Sequence, residues 1–327
     1  MPQFSIIGKD GKPIYLVHTD EYKNWIFDST HPTQGRRFTN ARDLLISMAK
    51  EQEIEIVEVL PRLATKTELE RVHSPAYINQ VLDEHICDEW DGARPDMSHL
   101  AALFVGGTLT ALDALLTKKT NLAINFPGAK HHAQFNHASG FCIFNDFALA
   151  ADIATKDYGL NVAILDIDGH HGDGVENLTA DNPQVLTYSV HQSAIFPGTG
   201  EESHVGRFYN HPLQAGAGDA ELISAIKDFI YMIGARERIY DWRPDLLFIT
   251  CGADGHEEDP LTGLAYSTDG YVSVAHMVRE RFPDLPILLG GAGGYLPDTR
   301  TPEIWAKVAI SLAATDTRRN RSRPKRV

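Results

Sequence analysis

The chain has 327 residues, 43% of them hydrophobic and 23% charged, an ordinary balance for a globular protein whose core is large enough to need no staples. Its net charge of −14, from 30 Lys and Arg against 44 Asp and Glu, keeps it soluble and argues against nucleic acid as a partner; it would also draw cations such as lysine-rich tails or polyamines. Cys87, Cys142 and Cys251 are too few and too scattered for a disulfide framework or a thiolate metal site. With no long apolar run and no charged-then-apolar leader, no membrane span and a cytoplasmic location are expected.

Short apolar, β-branched runs at 54–60, 121–126, 162–168, 184–191, 245–252 and 286–291 read as strands. They lack strict alternation, as strands covered on both faces do. Between them, 98–116 and 219–240 read as helices. Alternating strands and helices predict an α/β fold built on a parallel sheet, as one domain over 1–316. The stretch 317–327, TRRNRSRPKRV, is basic and lacks a core-forming pattern, so it is expected to be a disordered, solvated tail.

In open sheets of this kind ligands bind beyond the carboxyl ends of the strands, and the polar motifs fall there. The run 121–126 leads into GAKHHAQFNHASGFCIFND, where His131 and His132 are adjacent. Two imidazoles beside a metal-activated water can divide the work of general base and general acid. The run 162–168 ends VAILDID and continues GHHGDGVEN. Asp166 and Asp168, two apart on a strand, share a face, and His170 follows. Carboxylates at the end of an apolar strand need a partner or a cation. Asp168, His170 and, beyond the run 245–252, Asp254 are the candidate metal ligands; this oxygen-rich set leaves a coordination position open and fits Zn²⁺ or Fe²⁺. After 286–291 comes GGAGGYLPD, whose Tyr295 hydroxyl can donate to a developing oxyanion.

The motifs KHHA, ASGFCIFND, LDIDGHHGDGVE, FPGTG, GAD…DP and GGAGGY, in that order, resemble those of the zinc-dependent histone deacetylases and their bacterial acetoin-utilisation and acetylpolyamine amidohydrolase relatives. The likeness is densest from Leu122 to Leu296 and continues at HPTQGRR (31–37) and RLATKTELERVHSPAYI (62–78). It implies an arginase-like open parallel sheet sandwiched by helices. It also implies an enzyme, a zinc-dependent deacetylase, that hydrolyses the amide of N-acetyl-lysine or a closely related acyl-lysine. By the same resemblance Asp168, His170 and Asp254 hold the metal, Asp166 orients His131, and Asp173 orients His132. Tyr295 polarises the scissile carbonyl, Gly140 accepts the substrate amide N–H, and Phe141 and Phe196 line the acyl-lysine tunnel. A potassium ion is implied at Asp166, Asp168, His170 and Ser189. Arg37 matches an inner-channel arginine, and Asp91, with Asp96 as the alternative, matches a rim aspartate that grips the substrate backbone.

The chain departs from the pattern at two places. Gly128-Ala129-Lys130 stands where relatives have two glycines and an apolar residue, which alters the inner cavity. Leu261 stands where acetylpolyamine-specialised relatives carry a glutamate, which weighs against polyamines. Small acetylated amines remain the alternative substrates. A binuclear ureohydrolase and a non-catalytic acyl-lysine binder are the remote alternatives. His256, two residues after Asp254, is expected near the pocket rim, and Cys142 is expected to be a buried, inert thiol.

Overall fold

The computed structural model describes residues 12–204, 206 and 208–313; the basic stretch 317–327 lies outside them. The elements in chain order are β1 (Ile14–Val17), α1 (Arg36–Glu51), β2 (Ile56–Val59), α2 (Lys66–Leu69), α3 (Pro75–Leu82), α4 (Pro95–Leu116), β3 (Leu122–Asn125), α5 (Asp146–Lys156) and β4 (Val162–Asp166), then α6 (Asp173–Thr179), β5 (Val185–Gln192), β6 (Phe208–Leu213), α7 (Asp219–Tyr240), β7 (Leu246–Thr250), α8 (Thr268–Arg281), β8 (Ile287–Gly290) and α9 (Arg300–Ala313). All eight strands lie parallel in one sheet, in the order β2-β1-β3-β8-β7-β4-β5-β6. The fold is therefore the expected α/β open sheet flanked by helices.

Each of the predicted strands is present, with bounds shifted by one or two residues. β3, β4, β7 and β8 are buried along their whole length, which explains their unbroken apolar sequences. Two strands went unpredicted. β1 is only four residues long, and β6 is a half-buried edge strand interrupted by Pro212, a residue that edge strands tolerate and central ones do not.

The long helix α4 corrects one expectation. By length and composition it could cross a bilayer, yet 78% of its most apolar stretch is buried inside the protein. It is apolar all round because it is a core helix. Its Gly107 lets it approach β3 closely: a Cβ there would strike the Tyr22 hydroxyl and the Asn125 side chain. Asn125 in turn donates to the Phe104 carbonyl (2.9 Å) and the Thr108 hydroxyl (2.9 Å), tying strand to helix.

The strand order locates the ligand site. From β3 the chain skips two positions to β4, and β7 and β8 later fill the gap. The carboxyl ends of β3, β8, β7 and β4 thus stand side by side at the point where the winding reverses, where α/β sheets bind ligands.

Candidate active site

Beyond β4 the chain winds onto its own carboxylates. The Asp168 N–H donates to Asp166 Oδ1 (3.0 Å) and the His170 N–H to Asp168 Oδ1 (2.9 Å). From the loop after β7, Asp254 accepts the Gly169 N–H at Oδ1 (2.8 Å). From the loop after β8, the Gly293 N–H donates to Asp168 Oδ2 (2.8 Å). A Cβ at Gly252 or Gly293 would collide with the ligand carboxylates. Asp168, His170 and Asp254 are buried, and each offers one donor atom within 4.8 Å of the other two.

The charges show that these residues fit a cation. His170 Nδ1 lies 2.9 Å from Asp254 Oδ2 and 3.2 Å from Asp168 Oδ1. Burial drives the His170 pKa down, but the two carboxylates overcome it and raise it to about 11. Burial and the neighbouring Asp168 push Asp254 above the usual carboxylate range. The cluster therefore holds more negative charge than its own protons neutralise comfortably, and two carboxylates with one imidazole suit a divalent ion such as Zn²⁺ or Fe²⁺.

The loop after β3 brings both histidines to this cluster. His131 Nδ1 donates to Asp166 Oδ2 (2.7 Å), and its Nε2 stands 3.8 Å from Asp168 Oδ1. His132 Nδ1 donates to Asp173 Oδ1 (2.7 Å), whose other oxygen accepts from Gln134 Nε2 (2.8 Å). The two rings are 4.0 Å apart yet titrate oppositely. For His131, burial is outweighed by Asp166 and Asp168, and the pKa rises to about 9. For His132, burial and the neighbouring His131 win over Asp173, and the pKa falls to about 4.

Tyr295, on the loop after β8, packs its ring edge on Phe141 with centroids 6.2 Å apart. Burial raises its hydroxyl pKa well above the ordinary value, so it remains a hydrogen-bond donor. Asp259 fastens its backbone, accepting the Tyr295 N–H (2.7 Å) at one oxygen and the Leu261 N–H (3.1 Å) at the other. Arg37 lies with its guanidinium 5.6 Å from the Tyr295 ring and donates to the Gly294 carbonyl (2.5 Å).

Gly140 has φ +56°. A Cβ on it would strike the rings of His132 and Phe196, so glycine is needed both for the turn and for the space. Phe196, about half exposed at 49%, meets the His132 ring edge-on with centroids 5.0 Å apart. A cavity of about 20 Å³ is lined by Gly140 and Phe141 together with His131, His132, Asp168, Tyr295, Arg37 and Lys130.

Other predicted residues lie further off. Leu261 is partly exposed and does not line this cavity. Asp91 is exposed on the loop between α3 and α4, whereas Asp96 is clamped by Arg94 (3.0 and 2.7 Å) and so is not free to grip a substrate. Ser189 stands opposite Asp166 in the β4–β5 register, its hydroxyl 2.9 Å from His191 Nδ1. His256 departs from expectation: it is buried away from the cavity and its Nδ1 accepts the Glu258 N–H (3.1 Å). Asp259 and Gln134 were not singled out in the sequence. Only the D-P step at 259–260 could have pointed to the former, and nothing in the spacing points to the latter.

Residues 31–312 match the family model described as Histone deacetylase domain. The chain is similar to the acetoin utilization protein AcuC of Bacillus subtilis (strain 168), 33% identical over 325 residues, covering 92% of this chain and 82% of that protein. It is also similar to AcuC of Staphylococcus aureus (strain COL), 30% identical over 321 residues, covering 90% and 80%. In fold it resembles the crystal structure of the HDA15 HD domain, with a TM-score of 0.79 at 24% identity over 92% of this chain and 90% of that one. On the evidence of motif order, sheet topology, the Asp168–His170–Asp254 cluster and these matches, the chain belongs to the histone deacetylase domain family.

Proposed function

We propose that the protein is a metal-dependent deacylase that hydrolyses the amide of N-acetyl-lysine or a closely related acyl-lysine. The observation that carries this reading is the meeting of two oppositely tuned imidazoles and a buried tyrosine hydroxyl at one Asp–His–Asp cluster. A divalent ion held by Asp168, His170 and Asp254 would supply Lewis-acid polarisation of the acyl carbonyl and a more acidic water.

The chain's own residues do the rest. His132, neutral and fixed by Asp173, takes a proton from the attacking water. His131, charged beside Asp166, assists by stabilising the negative charge that develops. The Tyr295 hydroxyl donates to the carbonyl oxygen as it becomes an oxyanion. The amine leaves only after accepting a proton, which the tandem histidines hold for it. Gly140 offers its carbonyl to the substrate N–H, Phe141 and Phe196 flank the alkyl chain, and Asp91 serves the rim. A potassium ion at Asp166, Asp168, His170 and Ser189 would brace the same loop.

Among the described residues a single group has metal-ligand spacing, which favours this reading over a binuclear ureohydrolase. Leu261 supplies no carboxylate for a second ammonium, which favours acyl-lysine over acetylpolyamines. The test is a panel of acetyl-lysine peptides, acetylputrescine and acetylspermidine, run before and after chelation and after return of zinc or iron(II). Peptide hydrolysis that chelation abolishes and metal restores is expected. Turnover of no acyl-lysine, or a parent preference for the polyamines, would overturn the reading.

A further inference from the structure

Lys130 stands directly before the tandem histidines, and its side chain is 5% exposed. Its ammonium has neither a hydrogen-bond acceptor nor an ion-pair partner among the described residues; it rests 5.8 Å from the Trp25 ring and 5.5 Å from the Phe104 ring. The nearby carboxylate of Asp146 is already engaged by the backbone N–H groups of Ala129 (2.9 Å) and Lys130 (2.7 Å) and by the Thr108 hydroxyl (2.5 Å). Lys130 lines the same cavity as Gly140 and Tyr295. Arg37 and Thr33 line it too, and the Arg37 Nε and Thr33 hydroxyl are buried without a partner.

Two buried cations with unused donors in the wall of one small cavity are unfavourable unless an anion joins them. The cavity, about 20 Å³, has room for a few atoms only. Gly140, Phe141 and Tyr295, between which the acyl carbonyl would sit, line the same cavity. A carboxylate reaches it with the acyl group, either as the acid that hydrolysis releases or, before the bond breaks, as the far end of a dicarboxylic acyl group.

We propose that Lys130 is a specificity-determining residue and that the inner cavity receives the terminal carboxylate of a short dicarboxylic acyl group, malonyl in size, on lysine. This rests on the deacylase reading and narrows its substrate. Hydrolysis proceeds as for any amide: the C–N bond breaks, water gives OH to the acyl carbon and its proton to the amine. The dicarboxylic acid and free lysine are released. The carboxylate pairs with the Lys130 ammonium, which an apolar acyl end of the same shape would leave unpaired.

Malonyl-lysine and isovaleryl-lysine peptides test this, because the two acyl groups match in heavy-atom count and branching and differ in charge. On the metal-loaded parent enzyme kcat/KM should favour malonyl over isovaleryl by about tenfold or more, as a hydrogen bond to a charged group implies. K130M should erase or invert that ratio, and K130R should retain it. The acetyl-lysine peptide, run alongside, separates the two hypotheses. Acetyl turnover with a ratio that K130M leaves unmoved would overturn the role of Lys130 alone, as would a parent preference for isovaleryl. Failure of the parent to cleave any acyl-lysine would overturn the deacylase reading beneath it.

Discussion

Burial lowers the pKa of both rings, but for His131 Asp166 and Asp168 outweigh it and raise the pKa, whereas for His132 the neighbouring His131 adds to burial and the pKa stays low against Asp173 and Asp168. The division of labour is thus set by which aspartates each ring meets, and the sequence carried that information: D-x-D-x-H-H-G-D puts Asp166 and Asp173 within one short loop. Asp259 was illegible for the opposite reason. It acts on backbone N–H groups, which every residue has, so no spacing marks it. Lys130 was visible as an oddity, but its lack of a partner depends on where Asp146 spends its oxygens. At this scale Tyr295→Phe should keep the fold and lose about 2.7–4 kcal/mol of transition-state stabilisation, by analogy with removal of one oxyanion donor. The check is kcat on an acetyl-lysine peptide beside an unchanged melting temperature; parental kcat would remove Tyr295 from the mechanism. Gly140→Ala should disable the enzyme through the His132 and Phe196 rings it would strike, and wild-type turnover in that variant would show that this turn does not shape the tunnel.

Among the elements, the approach to α3 does more than connect. His73 Nδ1 donates to the Gln134 carbonyl (2.8 Å), its Nε2 accepts the Asn145 N–H (2.9 Å), and the Ser74 N–H donates to the Phe135 carbonyl (2.8 Å). The loop bearing the tandem histidines is thereby pinned at its middle and at the cap of α5. Burial lowers the His73 pKa to about 4 against the backbone carbonyls that favour its charge. In the unfolded chain it titrates near 6.5. Above that pH the imidazole is neutral in both states and its contribution is complete. As pH falls toward 4 the unfolded state takes up the proton first, and about 3 kcal/mol of stability is lost. Denaturant melts at pH 7 and pH 4.5 should therefore converge in His73→Gln relative to the parent; an equal acid loss in both would acquit His73. The strands that carried long apolar runs were legible. β1 and β6 were not, because IYLV is cut off by Pro13 and His18 with no apolar flank and β6 carries an embedded proline.

For the molecule as a whole, the alternation of strands and helices disclosed the fold class, but not that β7 and β8 lodge between β3 and β4. That insertion is a long-range choice made by packing. It means the candidate metal ligands come from segments that meet only in the folded sheet, so an ion bound there would be bound to the native state alone. Free zinc or iron(II) at a hundredfold excess over its dissociation constant should add about 2.7 kcal/mol to stability. Thermal melts of chelated and metal-loaded protein should differ by about 5 °C, and Asp254→Asn should not respond to metal. A chelated protein that melts with the loaded one would argue that the cluster holds no ion.

The oxygens of Asp168 and Asp254 are held in place by N–H groups of Gly169, His170 and Gly293, which belong to the backbone and do not depend on side chains elsewhere in the pocket. On the proposed reading acyl preference rests by contrast on replaceable side chains such as Lys130, Phe141 and Phe196. Substitution there should redirect what is accepted while leaving the reaction centre standing, and a library varied at those three positions is a practical route from one acyl selectivity to another.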